Sequence, residues 1–197
     1  MIREAELFVM GEQVATQTLC RLDREHRNVK VPPPFGLPDA PVVSVGSVLR
    51  QHARDDAAVP DLLAGNTVPD EPAPFTVDPA LLTRLAEAAI AAAEKATDAA
   101  AVVHTPEGDL ATGEYLLRRA AVRAFTAHEV AVFIGSVCPL TEAFARQMWE
   151  ATQARAEDWR DIGVFGPPLL PVPDDVSWRD RFLMAAGRDP HPLWDRH

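Results

Sequence analysis

The sequence predicts an all-α fold, a single helical bundle spanning residues 1–197. Three observations carry this expectation. Apolar residues recur at helical spacing through several long segments, and proline-rich stretches separate those segments. Only one short stretch, 102–110, has strand-like character. With 47% hydrophobic residues, a chain of this length can build one sizeable core.

Residues 3–26 read as a first helix, with Ala5, Phe8, Val9, Glu12, Thr16 and Leu19 on one face. Glu12 lies mid-face, where a carboxylate is costly unless it is paired or bound to a cation. The run 31–43, VPPPFGLPDAPVV, holds five prolines and reads as an ordered connector anchored by Val31, Phe35 and Leu37. Ser44 is the expected N-cap of a second helix reaching about Val59, just before Pro60. Its apolar line is Val45, Val48, Leu49, His52, Asp56 and Val59. His52 and Asp56 are four residues apart and therefore stack on the inward face. Asp55, a quarter turn away, can face in or out.

A second proline-rich loop covers 65–77. Asp78 and Pro79 then supply an N-cap and a first-turn proline for a packing helix over about 79–97. Residues 102–110 suit a small hairpin with an exposed His104. The longest helix follows at 113–135, GEYLLRRAAVRAFTAHEVAVFIG. Leu117, Ala121, Ala124, His128, Ala131 and Gly135 fall on its inward line, while Arg118, Arg119, Arg123 and Glu129 read as its solvent face. His128 therefore sits between small residues, which leave room for a metal, a water or a ligand. A core histidine with one hydrogen bond fits the same pattern. A fifth helix covers about 141–158, an extended run covers 163–173, and a short helix begins at Asp175 or Ser177 and runs to Ala186. The segment 164–197 is expected to pack back on the bundle through Phe165, Leu169, Leu170, Val172, Trp178 and Phe182.

A formal charge of -10 and the absence of a basic helix disfavour nucleic acid and anionic membrane as partners. Two cysteines, Cys20 and Cys138, are too few for a disulfide framework, so a reducing cytoplasm is the expected location. The beginning of the chain, MIREAELFVMGEQ, has acids where a signal peptide has a basic and then an apolar run. A homodimer is compatible with the sequence.

Three helices thus each carry an ionisable group on an apolar face: Glu12, His52 with Asp56, and His128. In a bundle such groups meet in the core. Two imidazoles and a carboxylate with open positions form a ligand set for zinc, iron or a nickel-like ion. The two carboxylates could equally neutralise an imidazolium without metal, and a buried His–Asp hydrogen bond alone explains the second helix.

The string SVGSVLRQHARDDAAVPDLLAG resembles the region around the first metal histidine of the DinB/YfiT-like superfamily, and AFTAHEVAVFIG resembles the helix bearing its last ligand. The closing FGPPLLPVPDD and RFLMAAGRDP are similar to a branch grouped with mycothiol-dependent maleylpyruvate isomerase. The resemblance covers most of residues 44–190. It implies a four-helix bundle with a long crossover, here with an added short helix, a hairpin and an extended C-terminal segment. It also implies a divalent metal, zinc by preference, and mycothiol as co-substrate of a thiol-dependent isomerase or transferase. Carried over, His52 matches the first ligand and His128 the last. The family's Glu or His one turn before the last ligand is Ala124 here, and its Trp-Asp is replaced by Val130 and Ala131. Asp56 is then the expected third ligand, with Glu12 as the alternative. A non-catalytic bundle whose degenerate metal site binds a small molecule or partner is the competing expectation.

Overall fold

In a computed structural model the protein is described at residues 1–33, 40–67, 76–170, 172 and 175–192. It is mostly helical, with two small sheets of two strands each. The helices are α1 (Arg3–Leu19), α2 (Val45–Leu63), α3 (Pro79–Ala93), α4 (Thr112–Phe133), α5 (Glu142–Thr152), α6 (Ala156–Asp161) and α7 (Trp178–Ala185). Strands β1 (Lys30–Val31) and β2 (Val43–Ser44) pair antiparallel, as do β3 (Val102–Thr105) and β4 (Gly108–Ala111). No helix among the described residues is long and apolar enough to cross a membrane. The anchors Phe35 and Leu37 of the first proline-rich run lie outside the described residues, as does most of the second such loop.

Local chemistry sets the boundaries. Ser44 and Asp78 cap α2 and α3 by accepting the backbone N–H groups of Ser47 and Leu81. Thr141 caps α5 in the same way through Phe144. The first helix stops at Leu19 rather than near residue 26. Beyond it, the Asp23 carboxylate accepts the N–H groups of Glu25 and His26 and turns the chain into a single 3₁₀ turn. The second helix, in contrast, continues past Pro60 to Leu63. Proline removes one ladder bond there, but Leu62 is buried in the core and holds the last turn in place. The expected fifth helix divides into α5 and α6, joined by a 3₁₀ turn at Gln153–Arg155.

The central element is α4. It packs most extensively against α1 and also touches α2, α5 and strands of both sheets. Burial on all sides over 120–132 explains why its expected solvent face fails at Arg123 and Glu129, only 1% and 4% exposed, while Arg118 and Arg119 remain half-buried. Gly11 lets α1 come close. A Cβ added at that position would lie 3.1 Å from the Ala120 carbonyl oxygen and 3.3 Å from Arg123 Cβ. The neighbouring Glu12 is thereby delivered to the heart of the α1–α4 contact.

The C-terminal segment contributes Val164, Phe165, Phe182 and Leu183 to the main core. Phe182 stacks on Phe125 at 5.6 Å, and Phe165 meets Trp159 edge-on at 5.3 Å. Leu169 and Leu170 do not join them, and Leu170 is 75% exposed. They lie where the chain runs alongside α7, tied by the Leu169 N–H to the Met184 carbonyl, with their side chains outward. The segment closes at Gly187, whose φ is +76° and whose missing Cβ would fall 2.5 Å from the Pro167 carbonyl oxygen.

Gly187→Ala meets both a left-handed backbone and a backbone clash. It is expected to destabilise the fold by about 2 kcal/mol or more. Denaturant unfolding checks this, and an unchanged midpoint contradicts it.

Candidate metal and ligand site

Three helices converge on one buried cluster. Arg123 of α4 extends its guanidinium between two carboxylates. Its Nε donates to Glu12 Oε2 at 2.6 Å, and its Nη2 donates to Asp56 Oδ1. His52 closes the ring, with Nε2 3.1 Å from Glu12 Oε1 and 3.1 Å from Asp56 Oδ2. Thr16, one turn after Glu12, donates its hydroxyl to Glu12 Oε1 at 2.6 Å. All four ionisable groups are buried. Asp55 ties the cluster to the rim. It accepts from Gln51 and Arg119 and lies 3.6 Å from Arg123 Nη1.

Charge pairing sets the protonation states. Burial opposes ionisation of Glu12, yet Arg123 and His52 hold its carboxyl far below the usual carboxylate range. Burial and Arg123 both push His52 toward neutrality, but Glu12 and Asp56 outweigh them, and its pKa is raised to about 9. Burial likewise works against the charge on Arg123, and the carboxylates of Asp56, Glu12 and Asp55 reverse it. At neutral pH the cluster therefore contains two cations and two fully buried carboxylates.

One hydrogen-bonding deficit stands out. A single Nε2–H serves Glu12, and Asp56 Oδ2 is left buried without a hydrogen-bond partner. His52 Nδ1 is also buried and unpartnered. Glu12, His52 and Asp56 form a group that could hold a metal ion, with one donor atom from each within 4.8 Å of the others. Donors bonded tetrahedrally to one zinc at about 2.0–2.2 Å sit roughly 3.3–3.6 Å apart. The two 3.1 Å separations from His52 Nε2 are a few tenths of an ångström shorter, so a small outward shift of the carboxylates would admit the ion.

The ligand set differs from the sequence expectation. His52 and Asp56 are brought together, and Glu12 completes the group in place of His128. His128 lies five residues beyond Arg123, roughly 7.5 Å further along the helix axis. There its Nε2–H donates to the Asp189 carbonyl of the C-terminal segment at 2.9 Å. Burial lowers its pKa to about 4, so the ring is neutral. Beside it, Arg188 pairs with Glu129 at 3.2 Å and covers the Phe125 ring at 5.0 Å. Burial raises the Glu129 pKa to about 7 against the pull of Arg188. His128 and Glu129 thus hold the C-terminal segment against α4. Ala124 is fully buried and offers no donor.

Sequence reasoning missed Arg123. The available signal was steric: Ala120 and Ala127 lie one turn before and after it and leave space for a long side chain.

Next to the cluster lies a cavity of about 420 Å³. His52, Arg123, Tyr115 and Thr126 line it together with apolar Val48 and Val122, and Arg118 and Arg119 also border it. Its size falls in the range of small-molecule pockets. No family model, curated protein or solved structure matches the chain.

Two outcomes follow from the cluster. Arg123→Leu strands two buried carboxylates and is expected to cost about 3–5 kcal/mol by chemical denaturation. A loss below 1 kcal/mol means that Glu12 and Asp56 find other partners. The second outcome is alkaline. The folded pKa of His52 lies above its ordinary 6.5, so its contribution to stability is complete below that pH and is lost as pH rises through about 9. His52→Gln should flatten the stability decline between those limits, and equal slopes for both proteins contradict the pairing.

Proposed function

We propose that the chain is a divalent-metal-binding bundle of the DinB/YfiT-like kind, with Glu12, His52 and Asp56 as ligands. The observation that carries this reading is Asp56 Oδ2, a buried carboxylate oxygen facing an imidazole nitrogen that has only one proton to share. A cation can engage all three donors at once, and a proton cannot. The donor set, one imidazole and two carboxylates, suits zinc and also manganese or iron.

Each residue has a role in this reading. Arg123 fixes the outer oxygens of Glu12 and Asp56, leaving Glu12 Oε1 and Asp56 Oδ2 directed at His52. Thr16 orients Glu12 further. The adjoining cavity brings a small molecule to His52. A bound divalent ion would supply Lewis acidity and lower the pKa of a thiol or water beside it. The resemblance to the branch of mycothiol-dependent maleylpyruvate isomerase supports a thiol-dependent isomerase or transferase, with mycothiol as co-substrate.

A second reading rests on Arg123. With His52 protonated, the cluster balances its charges without metal and would serve as a structural ion network beside a binding cavity. The altered positions at Ala124, Val130 and Ala131 support this non-catalytic alternative.

Zinc titration of tag-free protein separates the two. Metal binding must displace the His52 proton, so affinity should rise as pH is raised from 6 toward 9. His52→Ala should abolish stoichiometric binding, while His128→Ala should preserve it. Absence of stoichiometric zinc binding by the wild type at pH 8 establishes the ion-network reading instead.

A further inference from the structure

We propose that Arg123 is the specificity-determining residue of the cluster and confines it to a divalent transition-metal ion, excluding calcium and the ferric state of iron. The inference rests on the metal reading above and narrows its chemistry to Lewis acidity without one-electron redox.

Two carboxylates beside an imidazole, taken alone, would suit a trivalent ion or calcium as well as zinc. Arg123 removes both options. Its Nε takes Glu12 Oε2 at 2.6 Å, and its Nη2 takes Asp56 Oδ1. Each carboxylate is left with a single oxygen directed at His52, so neither can chelate through both. Calcium takes about six to eight oxygens and often uses bidentate carboxylates. One nitrogen and two single oxygens do not supply that shell.

Charge sets the oxidation state. Glu12 and Asp56 bring two negative charges, and Arg123 returns one positive charge at hydrogen-bond distance from both. With a neutral imidazole the ligand set carries one net negative charge. A divalent ion therefore leaves one excess positive charge, and a trivalent ion leaves two. Among the described residues, Asp55 also touches the cluster, 3.6 Å from Arg123 Nη1, but Arg119 meets its charge at 2.9 Å. Glu12, His52, Asp56 and Arg123 are each at most 2% exposed, so solvent screens them little. The second excess charge is costly in such a place. Arginine keeps its proton throughout the working pH range, so this bias is permanent.

The test uses full-length, tag-free protein loaded anaerobically with iron(II), with zinc as the reference ion. A mediated redox titration followed by electron paramagnetic resonance gives the midpoint potential, which reads the ratio of ferric to ferrous affinity. In excess ascorbate the wild-type iron should remain wholly ferrous. Arg123→Gln should raise the ferric-to-ferrous ratio roughly a hundredfold, as loss of a unit charge one side chain away does, and so lower the potential. Asp55→Asn removes a negative charge and should shift the ratio the other way by about threefold or more, raising the potential. It leaves Glu12 and Asp56 paired with Arg123, and so keeps the test decisive if Arg123→Gln does not fold. A purely structural role for these residues predicts no such opposed shifts. Calorimetry should show zinc retained in a large excess of calcium. A ferric signal persisting in ascorbate, displacement of zinc by calcium, or an Asp55→Asn potential at or below the wild-type value overturns this assignment while leaving the metal reading intact. A wild type that binds neither zinc nor iron(II) overturns both.

Discussion

The Arg123 guanidinium, buried between Glu12 and Asp56, is the interaction on which the arrangement of α1, α2 and α4 depends. Removing a guanidinium and two carboxylates from water costs several kcal/mol per ion, and only close, well-directed partners offset it. The geometry meets that demand. Arginine presents a planar fork, so one side chain engages carboxylates from two other helices through separate nitrogens. A lysine, with a single ammonium, has no equivalent fork. The network therefore fixes relative helix position as well as charge balance, and a shift of α1 along α4 breaks the Glu12 bond.

The packing around Arg123 follows from that constraint. Gly11 admits the α4 backbone, and the buried alanines at 120 and 127, one turn on either side, leave room for the guanidinium stem. Small residues at this crossing are required by the long polar side chain that passes through it, since interiors tolerate little void. The aromatic group of Phe125, Phe165, Phe182 and Trp159 supplies the large apolar volume elsewhere in the main core. Arg123 and Phe125, two residues apart, thus present polar order and apolar bulk on different sides of α4.

The helices were legible in the sequence because their apolar spacing, and the caps at Ser44, Asp78 and Thr141, are local properties. The inward direction of Glu12, His52 and Asp56 was legible for the same reason. The partnership of Glu12 with His52 is not a local property, because the depth of Glu12 depends on how closely α1 approaches α4, and that distance is set by Gly11 acting against residues more than a hundred positions away. The solvent face of α4 was misread at Arg123 and Glu129. Periodicity assigns charge to water by default, and it carries no information about a helix enclosed on every side by other elements. The small neighbours of His128 fit both a ligand and a core histidine with one hydrogen bond, and the family resemblance points to the ligand. Those neighbours instead admit the C-terminal segment, whose Asp189 carbonyl takes the ring proton.

Charge accounting sets what a cation at the cluster would require. With His52 doubly protonated, two positive and two negative groups cancel, and the deficit left is one of hydrogen bonding: Asp56 Oδ2 lacks a donor and His52 Nδ1 lacks an acceptor. The first faces Nε2 of the imidazole at 3.1 Å, and the second is the same ring's other nitrogen. Exchanging the Nε2 proton for a divalent cation satisfies Asp56 and leaves the cluster with one excess positive charge. A buried excess of that kind is costly unless an anion accompanies it.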